Sequence, residues 1–496
     1  MKLIRYLEKQ SATWFLVLVS FLFFLLRLPS LFEPYWYGDE GIYQVIGMAL
    51  RQGRHLYSGI WDNKPPLLYY IYAIFNGNQS SVRFFSLLSG LGAIIIFFFL
   101  AKKLFQKQKT VYITTSIFAF LFATPFLEGN IANAENFMLL PILGAALLII
   151  RQTKTQPLLP PMEGTKGWIL FSAGILLGLS FLVKIVALFD FAAFFVFLFF
   201  ISYTNIRSLR SQIRPLFFFC FGFFIPIVFT FLFFLIQGDL KMFITSAFFS
   251  NVGYVEYGNR FFIPHGFLIF KLLLLTIVVL FLFCKRRSFP QSHVFILLWL
   301  AFSLFDTFFS QRPYTHYILM SIISFSLLIG LCIQQIKQKY LYILAAFLVI
   351  WMINAEFSLH NRLPKNMTGY YSNFLAFTFQ QKSTLDYFRF FDNVTPQDYA
   401  VASYITLHAK KDDGIFLWGN SAQIYKLTNT LPPGRFIVAY HITGSSENIE
   451  ETRKAITAHQ PKFIIISGKE SRIPYTLQDY EPKITLDNTT IYEKVF

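Results

Sequence analysis

Pro215-Leu-Phe-Phe-Phe-Cys-Phe-Gly-Phe-Phe-Ile-Pro-Ile-Val-Phe-Thr-Phe-Leu-Phe-Phe-Leu-Ile236 runs for 22 residues without a charged side chain. A helix that crosses the hydrocarbon core of a bilayer needs about 20 such residues, so this stretch reads as a transmembrane span. Similar apolar runs lie outward from it on both sides, near 13–32, 81–101, 109–127, 132–150, 167–184, 185–203, 267–284, 291–309, 315–333 and 339–355. Together they predict eleven spans.

Composition requires the same class. Of 496 residues, 55% are hydrophobic, 20% are aromatic and only 14% are charged. A soluble domain carries about 25% charge, and so thin a polar coat could not cover this much apolar surface. The net charge of +17 would suit nucleic acid, but its distribution excludes that partner. The basic residues sit in alternate loops: Lys102/Lys103/Lys107/Lys109, Arg151/Lys154/Lys166, Arg207/Arg210/Arg214 and Lys285/Arg286/Arg287. Such loops set orientation by the positive-inside rule, which predicts a cytoplasmic N-terminus. An odd number of spans then puts residues 356–496 outside.

The first apolar run ends in Glu33-Pro34 without a small-residue cleavage site, so it reads as a retained span. Cys220, Cys284 and Cys332 lie in or beside apolar segments and offer neither a disulfide framework nor a thiolate metal site. The predicted organisation is a membrane domain over 1–355 and an extracytoplasmic α/β domain over 356–496. In the tail, Thr395-Pro396 reads as an N-cap with Pro at N1, opening a helix with Val401, Tyr404, Ile405 and His408 on one face. Short apolar runs at Ile415–Trp418, Phe436–Ala439 and Phe463–Ser467 read as strands. No phosphate-binding glycine motif accompanies them.

Chemistry gathers in the outer loops. The first, roughly 33–80, opens Tyr37-Gly38-Asp39-Glu40-Gly41 and continues with Ile42, Val45, Ile46 and Ala49 at helical spacing. That pattern suits a helix lying in the membrane interface. Adjacent carboxylates at a span end are costly unless used, although Asp39 could equally be the N-cap and Glu40 a first-turn charge. Trp61-Asp62-Asn63-Lys64-Pro65-Pro66-Leu67 follows; Lys64 there could hold a phosphate as a point charge or snorkel to the headgroups. Glu128 and Glu135 stand between the third and fourth spans, and Lys184 ends the fifth. Arg312, His316 and Tyr317 cluster before the tenth. Carboxylates and phosphate-holding cations on one side of a membrane point to transfer of a group from a phosphate leaving group.

In this order the motifs are familiar. Asp39-Glu40 after the first span, Lys64-Pro65-Pro66-Leu67, Gly178-Leu179 leading to Lys184, and Arg312 with His316-Tyr317 opening a late span make the chain resemble polytopic GT-C glycosyltransferases. Specifically, it resembles the bacterial relatives of protein O-mannosyltransferases and of the lipid A aminoarabinose transferase. The resemblance implies a polyprenyl-phosphate sugar donor, inversion at the anomeric carbon, and transfer to a hydroxyl or phosphate group of a glycan, lipid or protein acceptor at the outer face of a bacterial cell membrane. It implies Asp39 as general base, with Lys64, Arg312, His316 and Lys184 around the donor phosphate. Glu40 and Glu135 would orient the acceptor or hold a divalent cation; no other cofactor is implied. The large soluble insertion of the eukaryotic mannosyltransferases is missing, which counts against protein mannosylation. A polymerase or ligase of lipid-linked glycans is the enzymatic alternative. A lipid transporter would instead show internal repeats and midplane ionisable residues.

Overall fold

The computed structural model describes residues 2–154, 165–202, 209–259, 265–310, 314–335, 367–410, 412–467 and 473–495. Helices occupy the first ten predicted spans; the eleventh, 339–355, lies outside the described residues. Six are long and apolar enough to cross a membrane: Gln10–Leu31, Gln79–Leu104, Ala134–Gln152, Ile213–Gln237, Gly266–Lys285 and Thr315–Gln334. Gly167–Val183, Ala187–Ser202 and Gln291–Thr307 are shorter apolar helices, and Gln108–Ala123 covers the third predicted span. The chain is a multi-pass membrane protein with a small C-terminal sheet.

Two compact units form. One comprises 1–28, 85–233 and 252–367; the other comprises 29–84, 234–251 and 368–496. The second therefore joins residues 29–84 to the C-terminal tail, a grouping that crosses the boundary expected at 355.

The first unit is a helix bundle. Its closest approach is set by glycine, because small residues let helix backbones touch where hydrophobic association offers no drive. A Cβ on Gly174 would collide with the Phe219 carbonyl, and one on Gly178 with the Phe223 carbonyl. These two glycines are packing residues, as their spacing predicted.

In the second unit, Gly38–Arg51 is buried almost all round: Glu40 to Ala49 are without exception buried. The apolar stripe at Ile42, Val45, Ile46 and Ala49 is therefore one side of a core helix, not the single wet-and-dry face of an interfacial one. Pro66–Ile74 packs against it so closely that a Cβ on Gly47 would stand 2.7 Å from the Tyr72 carbonyl carbon.

The tail forms a four-stranded sheet of order β1-β2-β4-β3. β1 (Ile415–Trp418) and β2 (Phe463–Ser467) run parallel with Ile415 opposite Phe463. β4 (Thr489–Lys494) pairs antiparallel with β2 and with β3 (Tyr480–Leu486). Two of the three predicted strands are thus present. The third run, Phe436–Ala439, is buried but pairs with no strand; Ala439 begins a short helix and donates its N–H to Gly419. The Thr395–His408 helix starts one residue early, with Val394 at the cap and Thr395 already inside. Val401 and Ile405 are buried on it, whereas His408 is exposed.

Candidate active site

Helix Gly38–Arg51 takes Tyr37 as its N-cap and has no side-chain cap. Asp39 therefore lies inside the first turn, and its carboxylate is not spent on capping. It is half-exposed, and Tyr43, one turn on, donates to its Oδ2 at 3.1 Å. Lys64 Nζ stands 3.6 Å from the same oxygen and 4.9 Å above the Tyr43 ring.

Lys64 is held by its backbone. Its N–H donates to Tyr69 Oη at 3.0 Å, and its carbonyl accepts from Tyr57 Oη at 2.7 Å. Tyr57 occupies the left-handed region at φ 71°, a strained conformation that persists only where surroundings over-determine it. Pro65 caps the next helix and Pro66 opens it, which fixes the chain direction directly after the lysine.

Asp62 is the buried member of this cluster. Its Oδ2 accepts from Tyr69 Oη at 2.8 Å and lies 3.9 Å from Lys64 Nζ. Burial, and then the Asp62 charge, hold the Tyr69 phenol well above its ordinary pKa, so it remains a donor. The other oxygen of Asp62 accepts from the Asn63 N–H at 2.8 Å and lies 3.7 Å from Nε2 of His441. Burial presses the His441 pKa down to about 4 against the pull of Asp62, so the imidazole is neutral at physiological pH.

Glu40 has a different fate from its neighbour, because consecutive helical residues point about 100° apart. It is fully buried, and Arg83 grips both its oxygens. Arg83 also reaches Glu33 at 2.8 Å and the Ser30 carbonyl at 2.8 Å. Glu33 in turn accepts from Tyr370 at 2.6 Å and Trp36 at 2.7 Å. This three-residue ion network ties helix Gly38–Arg51 to the start of Gln79–Leu104 and pairs Glu40 with a guanidinium.

The second cluster lies within the helix bundle. Lys184, just past helix Thr165–Val183, forms an ion pair with Glu135 in the first turn of Ala134–Lys154. Its ammonium also sits 4.4 Å from the Tyr317 ring centre. Glu128, in the left-handed region at φ 58°, accepts from Thr315 at 2.6 Å and from His316 Nδ1 at 2.9 Å. His316 Nε2 is 4.0 Å from Glu135. The imidazole therefore lies between two carboxylates. Arg312 lies outside the described residues.

Among the described residues, no three His, Cys, Asp or Glu side chains gather in a group fit to hold a metal ion. Glu40 and Glu135 each face a cation instead. Among the described residues, the side chains expected to hold a divalent cation are already paired with protein cations.

The family model for dolichyl-phosphate-mannose-protein mannosyltransferases matches residues 53–242. The C-terminal domain model of the putative competence-induced protein Ccs4 matches 397–483. No curated protein sequence matches the chain. Among solved structures, ArnT from Cupriavidus metallidurans bound to undecaprenyl phosphate aligns over 97% of this chain and 98% of its own, at 14% identity and TM-score 0.60. Its apo state aligns over the same shares at 13% identity and TM-score 0.59. The oligosaccharyltransferase AglB from Archaeoglobus fulgidus aligns over 93% of this chain and 70% of its own, at 13% identity and TM-score 0.48. The resemblance read from the motifs is borne out: the chain has the polytopic GT-C fold seen in ArnT.

Proposed function

We propose that the chain is a glycosyltransferase that moves a sugar from a polyprenyl-phosphate donor to an acceptor on the outer face of a bacterial cell membrane, with inversion. Glycosyl transfer in general is what the mannosyltransferase match over 53–242 supports, since that span holds Lys64, Glu135 and Lys184. A lipid-phosphate donor is in keeping with the shared fold of ArnT, which was solved with undecaprenyl phosphate.

The observation that carries the reading is Asp39 beside Lys64, an uncapped carboxylate with a cation 3.6 Å away. In the reaction, an acceptor hydroxyl oxygen bonds to the anomeric carbon as its proton passes to Asp39. The bond from that carbon to the phosphate oxygen breaks, and the lipid phosphate departs with the electron pair. Lys64 is the cation assigned to the growing phosphate charge, where a preorganised charge acts most on the transition state. Lys184 and His316, with Arg312, remain the further candidates for donor phosphate. Each described one is paired with Glu135 or Glu128, so a phosphate there would compete with a carboxylate. Glu40 belongs to the frame that holds Asp39's helix, not to the reacting groups.

The test uses purified protein in liposomes with a panel of radiolabelled polyprenyl-phosphate sugars. Label leaving one lipid in the presence of a membrane-envelope acceptor supports the reading; no release from any member of the panel, by protein that remains folded, overturns it.

A further inference from the structure

Trp61-Asp62-Asn63-Lys64 is gripped from two sides. The Ser246 hydroxyl accepts from Trp61 Nε1 at 2.8 Å, and Asn251 donates to the Asn63 carbonyl at 2.9 Å. From the tail, the Arg435 carbonyl accepts the Trp61 N–H at 2.9 Å. The Trp61 indole packs into the tail's own core beside Phe416, Trp418, Phe436 and Ile442. The loop bearing the candidate phosphate-binding lysine thus takes its shape from the C-terminal domain.

His441 is the polar point of that grip. It is buried and edge-on to Trp61, ring centres 4.8 Å apart. Nε2 faces Asp62 Oδ1, while Asp62 Oδ2 faces Lys64. Nδ1 is buried without a hydrogen-bond partner. Packing alone would favour an apolar side chain here, because a buried polar atom left unpaired is destabilising. A neutral imidazole adds a polar neighbour, 3.7 Å away, beside the Asp62 oxygen that accepts from the Asn63 N–H, and brings no competing charge to Lys64.

We propose that the C-terminal domain completes the candidate site, with His441 as the positioning residue that fixes Asp62 and, through it, the Lys64 ammonium. The inference deepens the glycosyl-transfer reading and rests on it for the role of Lys64. His441 touches no substrate; it sets where the cation stands. Small misplacements matter at such a site, because a shift of about 1 Å can cost as much as about a hundredfold in rate.

Two measurements on the full-length protein test this. The first is independent of activity: Lys64 is labelled with an amine-reactive reagent under limiting conditions and quantified by peptide mass spectrometry. H441A is expected to change the Lys64 labelling rate severalfold, H441N to restore part of it, and I456V, in the same tail core, to leave it unchanged. The second is a double-mutant cycle on transfer. H441A is expected to lower kcat about tenfold with little change in donor KM. In a D62N background it should add less than about twofold, because residues acting through one another are not additive. Unchanged Lys64 labelling in both H441A and H441N overturns the inference whatever the turnover. Fully multiplicative losses in the cycle overturn it too. A wild-type protein that transfers no sugar overturns the glycosyl-transfer reading and leaves the labelling arm to decide the positioning role.

Discussion

Lys64 Nζ lies 3.6 Å from Asp39 Oδ2, although 25 residues of chain separate the two. The helix that carries Asp39 and the proline-led turn that carries Lys64 fold against each other through Tyr43, Tyr57 and Tyr69. This spacing brings a candidate base and a candidate phosphate-binding cation to one place.

Neutralising the lysine should separate these roles. Lys64→Gln removes a charge-assisted contact to the phosphate worth about 1.5–3 kcal/mol. Transfer is expected to fall roughly ten- to a hundredfold, measured as kcat/KM for the lipid donor. Unchanged kcat/KM would remove Lys64 from the site.

Arg83 answers to stability. Arg83→Met leaves Glu33 and Glu40 buried with no cation between them, and removing one partner of a buried ion pair costs about 3–5 kcal/mol. A large drop in the thermal midpoint in detergent is expected. Arg83→Lys should recover little, because an ammonium lacks the fork that serves both carboxylates. A wild-type midpoint in Arg83→Met would contradict the network's role.

The tail carries a pH signature. Burial raises the Asp398 carboxyl to about 8, opposed by its Ser421 hydrogen bond. A raised acid keeps its proton in the folded state while the unfolded chain loses it near 3.8. Its contribution to stability is therefore complete below about 4 and lost as pH rises towards about 8. His441 works in the opposite sense, since its depressed value makes stability fall as pH drops from 6.5 towards about 4. Asp398→Asn should flatten the loss between about pH 5 and about 8, read from thermal midpoints between pH 5 and 9. An unaltered slope would show that Asp398 is already ionised.

Much of this was legible in the sequence, for physical reasons. Span-length apolar runs have few alternatives, and the Lys64-Pro65-Pro66 break forces a turn at a fixed place. Asp39 was visible as a span-end carboxylate, but not that Tyr37 takes the cap. Arg83 was missed because it is one charge inside the run Val82-Arg83-Phe84-Phe85; a lone arginine in an apolar span was the signal that it needed buried acids. His441 gave no signal, since its partner Asp62 is 379 residues away in the chain. β3 and β4 were missed because Tyr480–Leu486 is largely exposed and lacks the apolar run that marks a buried strand.

Orientation is testable without activity. Of the three natural cysteines, all free, none lies in the tail. A cysteine at exposed position Glu447, introduced after their removal, should react with an impermeant thiol reagent in intact cells. Protection there, with labelling only after lysis, would reverse the proposed topology.

The central claim is that Asp39 is the base, and Asp39→Asn tests it most directly. The substitution keeps size and most hydrogen bonding but removes basicity. In folded, liposome-inserted protein, lipid-donor binding should persist while kcat falls by about 10²–10⁴, the usual contribution of a general base. More donor should not rescue it, and the thermal midpoint should stay near wild type, because Asp39 caps no helix. Turnover of Asp39→Asn near the wild-type rate would contradict the mechanism.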